Sequence, residues 1–180
     1  MRNLANFALF QVVWFACVLG ASDGNGWIGP LVTVVALALH FWTETERVRE
    51  WKLLGIVAVS GVLVDSGVQA LGAMTYTEPL AAISPIVPPW IISLWVAFGM
   101  LLRRSLSWLH HRIPLAVIFG LVGGPLSMRA GASLEAVELG GDLVTSYAWL
   151  GFEWGLLTPL YLLLARGNRE LDVATDSPAP

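Results

Sequence analysis

Six long apolar segments, none carrying more than two ionisable side chains, constrain this chain more than anything else in it: Asn3 to Ala21, Trp27 to Trp42, Lys52 to Met74, Trp90 to Leu102, Ile113 to Met128 and Leu143 to Ala165. A bilayer hydrocarbon core of about 30 Å takes roughly 20 residues of α-helix, and fewer where a short helix thins the membrane. Lipid offers the backbone no hydrogen-bond partners, so each segment has to be helical despite its Val and Ile content. The expectation is an all-α, polytopic transmembrane bundle of six helices. Composition agrees: with 56% hydrophobic and 13% charged residues in 180, the chain is too apolar for an ordinary soluble domain.

The connections fit six spans. Ser22 to Gly26 is a tight polar turn in which Gly and Asn tolerate positive φ, so the first two helices form a hairpin. Thr43 to Glu50 carries Glu44, Glu46, Arg47, Arg49 and Glu50 and reads as a solvated loop extending a helix end. Tyr76 to Pro89 holds Pro79, Pro85, Pro88 and Pro89, too many prolines for a spanning helix. Residues 1–166 are expected to form one transmembrane domain and 167–180 a disordered cytoplasmic tail. The first segment superficially resembles a secretory signal, but Asn6, Gln11 and Trp14 inside its apolar stretch favour a retained helix.

Orientation follows from Lys and Arg. With the N-terminus inside, nine of the ten basic residues fall on the cytoplasmic side and only Arg129 on the far side, the asymmetry expected of an N-in, C-in bacterial inner-membrane protein. Trp27, Trp42, Trp51, Trp90 and Trp108 lie near segment ends, where an amphipathic ring prefers the interface. Dispersed basic residues and a net charge of −3 argue against nucleic acid as a partner. The lone Cys17 excludes an intramolecular disulfide.

Polar groups inside apolar segments mark the interior of the bundle, since an ionisable group at depth costs at least about 2.5 kcal/mol. They are Asp65 and Gln69 on the third helix, Glu153 on the sixth, Arg129 at the end of the fifth, and Asn6 and Gln11 on the first. Asp65 is 13 residues from Lys52, and Glu153 is 13 residues from Arg166. At about 1.5 Å per residue both lie about 20 Å from the cytoplasmic helix ends. A polar pocket of Asp65, Gln69, Arg129, Glu153 and Gln11 is therefore the expected ligand-binding site. Two alternatives stand beside it: Arg129 only pins helices by pairing with a carboxylate, or it snorkels to the headgroups.

Gly120 and Gly124, followed by Pro125, give the fifth helix a smooth face and a bend. Close helix contact explains them most simply; a broken helix lining a cavity is the sharper alternative. His40, His110 and His111 lack a helix-spaced carboxylate motif, so no metal is expected. No serine sits in a nucleophile elbow, and there is neither a phosphate-binding glycine loop nor a dinucleotide fingerprint, so no cofactor and no catalytic residue is assigned.

Several ordered motifs carry a resemblance. Asn6 with Gln11 and Trp14-Phe15, Val64-Asp65-Ser66, Pro89-Trp90 with Leu94-Trp95, Ser105-Leu106-Ser107-Trp108-Leu109, and Gly123-Gly124-Pro125-Leu126-Ser127 with Ala130-Gly131 resemble an uncharacterised family of small bacterial inner-membrane proteins with about six transmembrane helices. Met128 stands where that pattern has an aromatic. The resemblance implies a location and a lipid-related context rather than an activity. The leading expectation is a non-enzymatic bundle that binds or translocates a small or lipidic molecule. An intramembrane enzyme of lipid metabolism and a structural accessory subunit are the alternatives. Six short helices enclose little volume, which leaves a homo-oligomer open.

Overall fold

The structure is a computed structural model that describes residues 2–77, 86–140 and 142–175, with side chains over 3–77, 86–140 and 142–167. Six helices follow one another: α1 (Arg2–Ser22), α2 (Ile28–Trp42), α3 (Arg47–Ala70), α4 (Pro89–Leu102), α5 (Ile113–Ser133) and α6 (Leu143–Thr175). Each predicted segment corresponds to one of them, and the molecule is an all-α bundle. Stretches of α1, α3, α5 and α6 are long and apolar enough to cross a membrane. The shorter α2 and α4, with 15 and 14 residues, extend only about 22 and 21 Å.

The short α4 is the hub of the bundle, packing against α1, α2, α3 and α6. A helix that is apolar all round is suited to burial, and Trp90, Ile91, Trp95, Phe98, Met100 and Leu102 are all sequestered from the surface. Because other helices surround it, α4 need not match the thickness of the lipid. The closest helix pair is α5 with α6. Gly120 and Gly124 make it possible: a Cβ on Gly120 would lie 2.0 Å from the Trp154 carbonyl oxygen, and one on Gly124 would lie 2.1 Å from Trp154 Cγ. Of the two expectations for this stretch the structure shows close packing, with α5 continuous through Pro125.

The α1–α2 turn closes with Asn25 N–H donating to the Gly20 carbonyl at 2.7 Å and with Gly24 at φ 72°, the left-handed conformation that the sequence anticipates there. Two short strands do not follow from the hydropathy pattern. β1 (Met74–Tyr76) pairs antiparallel with β2 (Val137–Leu139), Thr75 opposite Glu138, and ties the end of α3 to the α5–α6 connection. Residues 78–85, with Pro79 and Pro85, lie outside the described residues.

Two boundaries differ from the sequence reading. Helix α3 begins at Arg47 rather than Lys52. Glu50, expected in a solvated loop, is completely buried, because the added helical turn points it at His40 and Arg103. At the other end of the chain, α6 runs to Thr175, through the first part of the expected tail; residues 176–180 lie outside the described residues.

Candidate functional site

Asp65 lies on α3 and is 1% exposed, facing α4. The Trp95 indole Nε1 donates to its Oδ2 at 2.7 Å. Trp95 reaches this position because Gly61, one helical turn before Asp65, leaves room for the ring; a Cβ on Gly61 would sit 2.1 Å from Trp95 Cδ2. The other end of the aromatic cluster is held by α6: Trp95 stacks on Trp154 with centroids 4.8 Å apart and planes 8° from parallel, and Phe98 meets both Trp154 and Tyr161 edge-on. The Tyr161 hydroxyl and Ser60 Oγ are 2.7 Å apart.

Glu153, one residue before Trp154 on α6, is 6% exposed. Among the described residues, Asp65 Oδ1 and both Glu153 carboxylate oxygens have no hydrogen-bond partner, nor do the Tyr76 hydroxyl, the Trp90 and Trp154 indole N–H groups and Thr158 Oγ1. Buried polar atoms are ordinarily satisfied, and each exception calls for a reason. Here several converge on one region where α3, α4, α6 and β1 meet.

A cavity of about 640 Å³ opens beside this cluster. Its walls come from α1 (Phe7, Gln11, Trp14), α4 (Trp90, Leu94, Phe98), α5 (Gly123, Ser127) and α6 (Trp154, Thr158), with Asp65 among the lining residues. Helix α1 packs on α2 and α4, while α5 packs on α6. The cavity thus separates α1 from α5, and Trp14 Nε1 donating to Ser127 Oγ at 3.0 Å bridges them. Volume and apolar lining match those of small-molecule pockets, in which a few polar groups orient a mostly hydrophobic ligand.

Of the five residues predicted for the pocket, the structure sets Asp65 and Gln11 in the cavity wall, Gln11 half-buried, and buries Glu153 on α6. Gln69, one turn beyond Asp65, is also half-buried. Arg129 does not join them: it is exposed and forms no ion pair among the described residues. The reason is the rotational setting of α5, whose buried stripe of Gly120, Gly124 and Met128 faces inward and leaves the next residue about 100° further round.

Sequence reasoning missed Trp95, Trp154 and Trp90 as neighbours of the acids. The available signal was depth. Trp95 and Trp154 lie within helices, away from the interface, where an indole N–H needs a polar partner.

The opposite end of the bundle holds a second polar cluster. His40 Nε2 and Glu50 Oε1 are 2.8 Å apart, Arg103 Nη1 donates to Glu50 Oε2 at 3.4 Å, and Arg104 Nη2 donates to Glu44 Oε2 at 3.0 Å. Burial alone would push the Glu44 carboxyl up, but the Arg104 hydrogen bond and charge and the Glu46 backbone N–H outweigh it and hold the group below its usual value. One potential ligand atom each from His40, Glu44 and Glu50 falls within 4.8 Å of the others, the spacing of a metal site. In this arrangement both carboxylates engage arginines, and a divalent ion would have to displace them.

Fold and site together define a small helical-bundle membrane protein with an internal apolar cavity and two buried carboxyl groups. The chain belongs to the family described as "Protein of unknown function (DUF2878)", whose model matches residues 3–160. No curated protein and no solved structure matches it.

Proposed function

We propose that this is a bacterial inner-membrane protein that binds a small apolar or lipidic molecule in the cavity between α1 and α5 and carries it through the bilayer or along it. The observation that carries this reading is the cavity itself: about 640 Å³ walled by aromatic and aliphatic side chains, with Asp65 at its edge. The lining suits a hydrocarbon chain, and the α1–α5 side offers lateral access from lipid, crossed by the Trp14–Ser127 hydrogen bond. Basic residues gather at the end holding His40, Glu50, Arg103 and Arg104, which favours that end as the cytoplasmic one.

A purely structural role for the acids fits less well. A packing device would pair its buried charges, and leaving them unpartnered costs more than apolar replacement. The burial of two carboxyl groups, Asp65 and Glu153, supports a second reading, an intramembrane acid–base enzyme acting on lipid, because a dry environment can hold a carboxyl protonated as a general acid.

The test is tryptophan quenching by a brominated dodecanol with the protein in phosphatidylcholine nanodiscs. Trp14, Trp90, Trp95 and Trp154 border the cavity, so saturable quenching beyond that from brominated bulk lipid is expected. Gly123→Phe should reduce it by filling the cavity. Quenching that is unsaturable and unchanged in the variant would remove the binding reading.

A further inference from the structure

We propose that the ligand of this cavity is a lipophilic cation, an apolar chain or ring system bearing a positively charged nitrogen, whose charge seats against Asp65 in exchange for a proton. The inference rests on the cavity reading and adds the sign of the ligand's charge.

Three observations carry it. First, among the described residues no protein cation pairs with Asp65 or Glu153. Arg129 is exposed on α5, while Arg103 and Arg104 engage Glu50 and Glu44 at the other end of the bundle. The side chain that does meet Asp65 is the Trp95 indole from α4, which is not cationic. Second, three of the four carboxylate oxygens lack a hydrogen-bond donor among the described residues, and Asp65, 1% exposed, lines the cavity. Third, the wall beside Asp65 is aromatic: Trp90, Trp95, Phe98 and Trp154 border the same space. Indole faces attract cations, most strongly where water is excluded, and a carboxylate at the same place adds direct charge pairing.

A carboxylate as buried as Asp65, with one oxygen lacking a donor among the described residues, lacks hydration, and either a proton or a cation relieves it. A proton leaving a carboxyl O–H for water as the cation arrives keeps the site's net charge constant, so that binding and proton release are coupled one for one. An anionic ligand would meet carboxylates with no compensating cation. A neutral alcohol would gain the apolar wall but no charge pairing.

Chain-matched probes distinguish these ligands: dodecyltrimethylammonium, dodecanol and dodecyl sulfate, each titrated below its micellar concentration into the full chain in phosphatidylcholine nanodiscs, with empty discs as blank. The ammonium is expected to bind about ten-fold or more tighter than dodecanol, because only it pairs with a carboxylate and the aromatic wall. It should release about one proton per ligand into weakly buffered solution, and its apparent affinity should rise with pH. Asp65→Asn should bring the ammonium down toward the affinity of dodecanol and abolish the proton release, with an unchanged thermal melt in the same discs reporting that the variant is folded. Equal binding of ammonium and dodecanol, or ammonium binding without proton release, overturns the charge assignment and leaves the cavity reading standing. No saturable binding by any of the three overturns both.

Discussion

The Trp95 indole N–H donates to Asp65 Oδ2 at 2.7 Å in the interior of the bundle, joining α4 to α3. It is the one hydrogen bond described for either carboxylate, and the same ring stacks on Trp154. Replacing Trp95 by Phe keeps an aromatic ring but strips Asp65 of its donor, so unfolding in detergent should show a loss of about 1–3 kcal/mol. Asp65→Asn in the same chain should restore part of this, because a neutral amide at that depth is cheaper to leave unpaired. Strict additivity of the two substitutions in a double-mutant cycle would show that the bond contributes nothing to stability.

Gly120 on α5 and the open glycines Gly55 and Gly67 on α3 should respond in opposite directions. A Cβ at Gly120 meets the Trp154 backbone carbonyl, which cannot rotate away. Gly120→Ala should therefore push α5 off α6 and cost about 3 kcal/mol or more. Gly55 and Gly67 on α3 have nothing within 4 Å of the added atom, so Gly55→Ala and Gly67→Ala should be neutral or stabilise by about 0.5–1 kcal/mol through backbone entropy. Thermal melts of the four proteins in one detergent check the contrast, and a harmless Gly120→Ala would refute the tight α5–α6 approach.

Glu44 gives the basic end of the bundle a dependence on acid. Its carboxyl is held below its usual value of 4.5 despite partial burial, chiefly by Arg104. A lowered folded value means that the unfolded chain takes up the proton first as pH drops. The contribution of the pair is complete above 4.5 and is lost as pH falls from there through the depressed folded value. The stability difference between wild type and Glu44→Gln should thus be largest near neutrality and vanish at strongly acid pH; a difference that stays constant with pH would contradict the pairing with Arg104.

Glu50 is fully buried and shared between His40 and Arg103. Arg103→Gln removes the permanent cation and leaves the carboxylate in a dry site, with an expected loss of about 3–5 kcal/mol. Adding Glu50→Gln should recover most of it, since the uncompensated charge is then gone. Measured by denaturation in detergent, an equally unstable double variant would mean that Arg103 acts through its packing alone.

How much of this was legible in the chain differs from residue to residue. Hydropathy and length alone define six helices, because a backbone in lipid must satisfy itself locally, and a turn such as Ser22 to Gly26 is written in its own residues. The common depth of Asp65 and Glu153 is likewise a matter of counting, since the rise per residue is the same in every α-helix. What counting cannot supply is the rotation of each helix about its axis. In water an amphipathic stripe shows which face turns inward, but in lipid both the buried and the outward face are apolar, and the sequence signal is nearly flat. Only packing decided that Gly120 and Gly124 face α6 and that Met128 is buried, which carried Arg129 to the surface and left Asp65 and Glu153 without a protein cation among the described residues. The burial of Glu50, the reach of Trp95 to Asp65 and the cavity between α1 and α5 are consequences of the same kind: each depends on residues about 30 to 113 positions apart meeting in three dimensions.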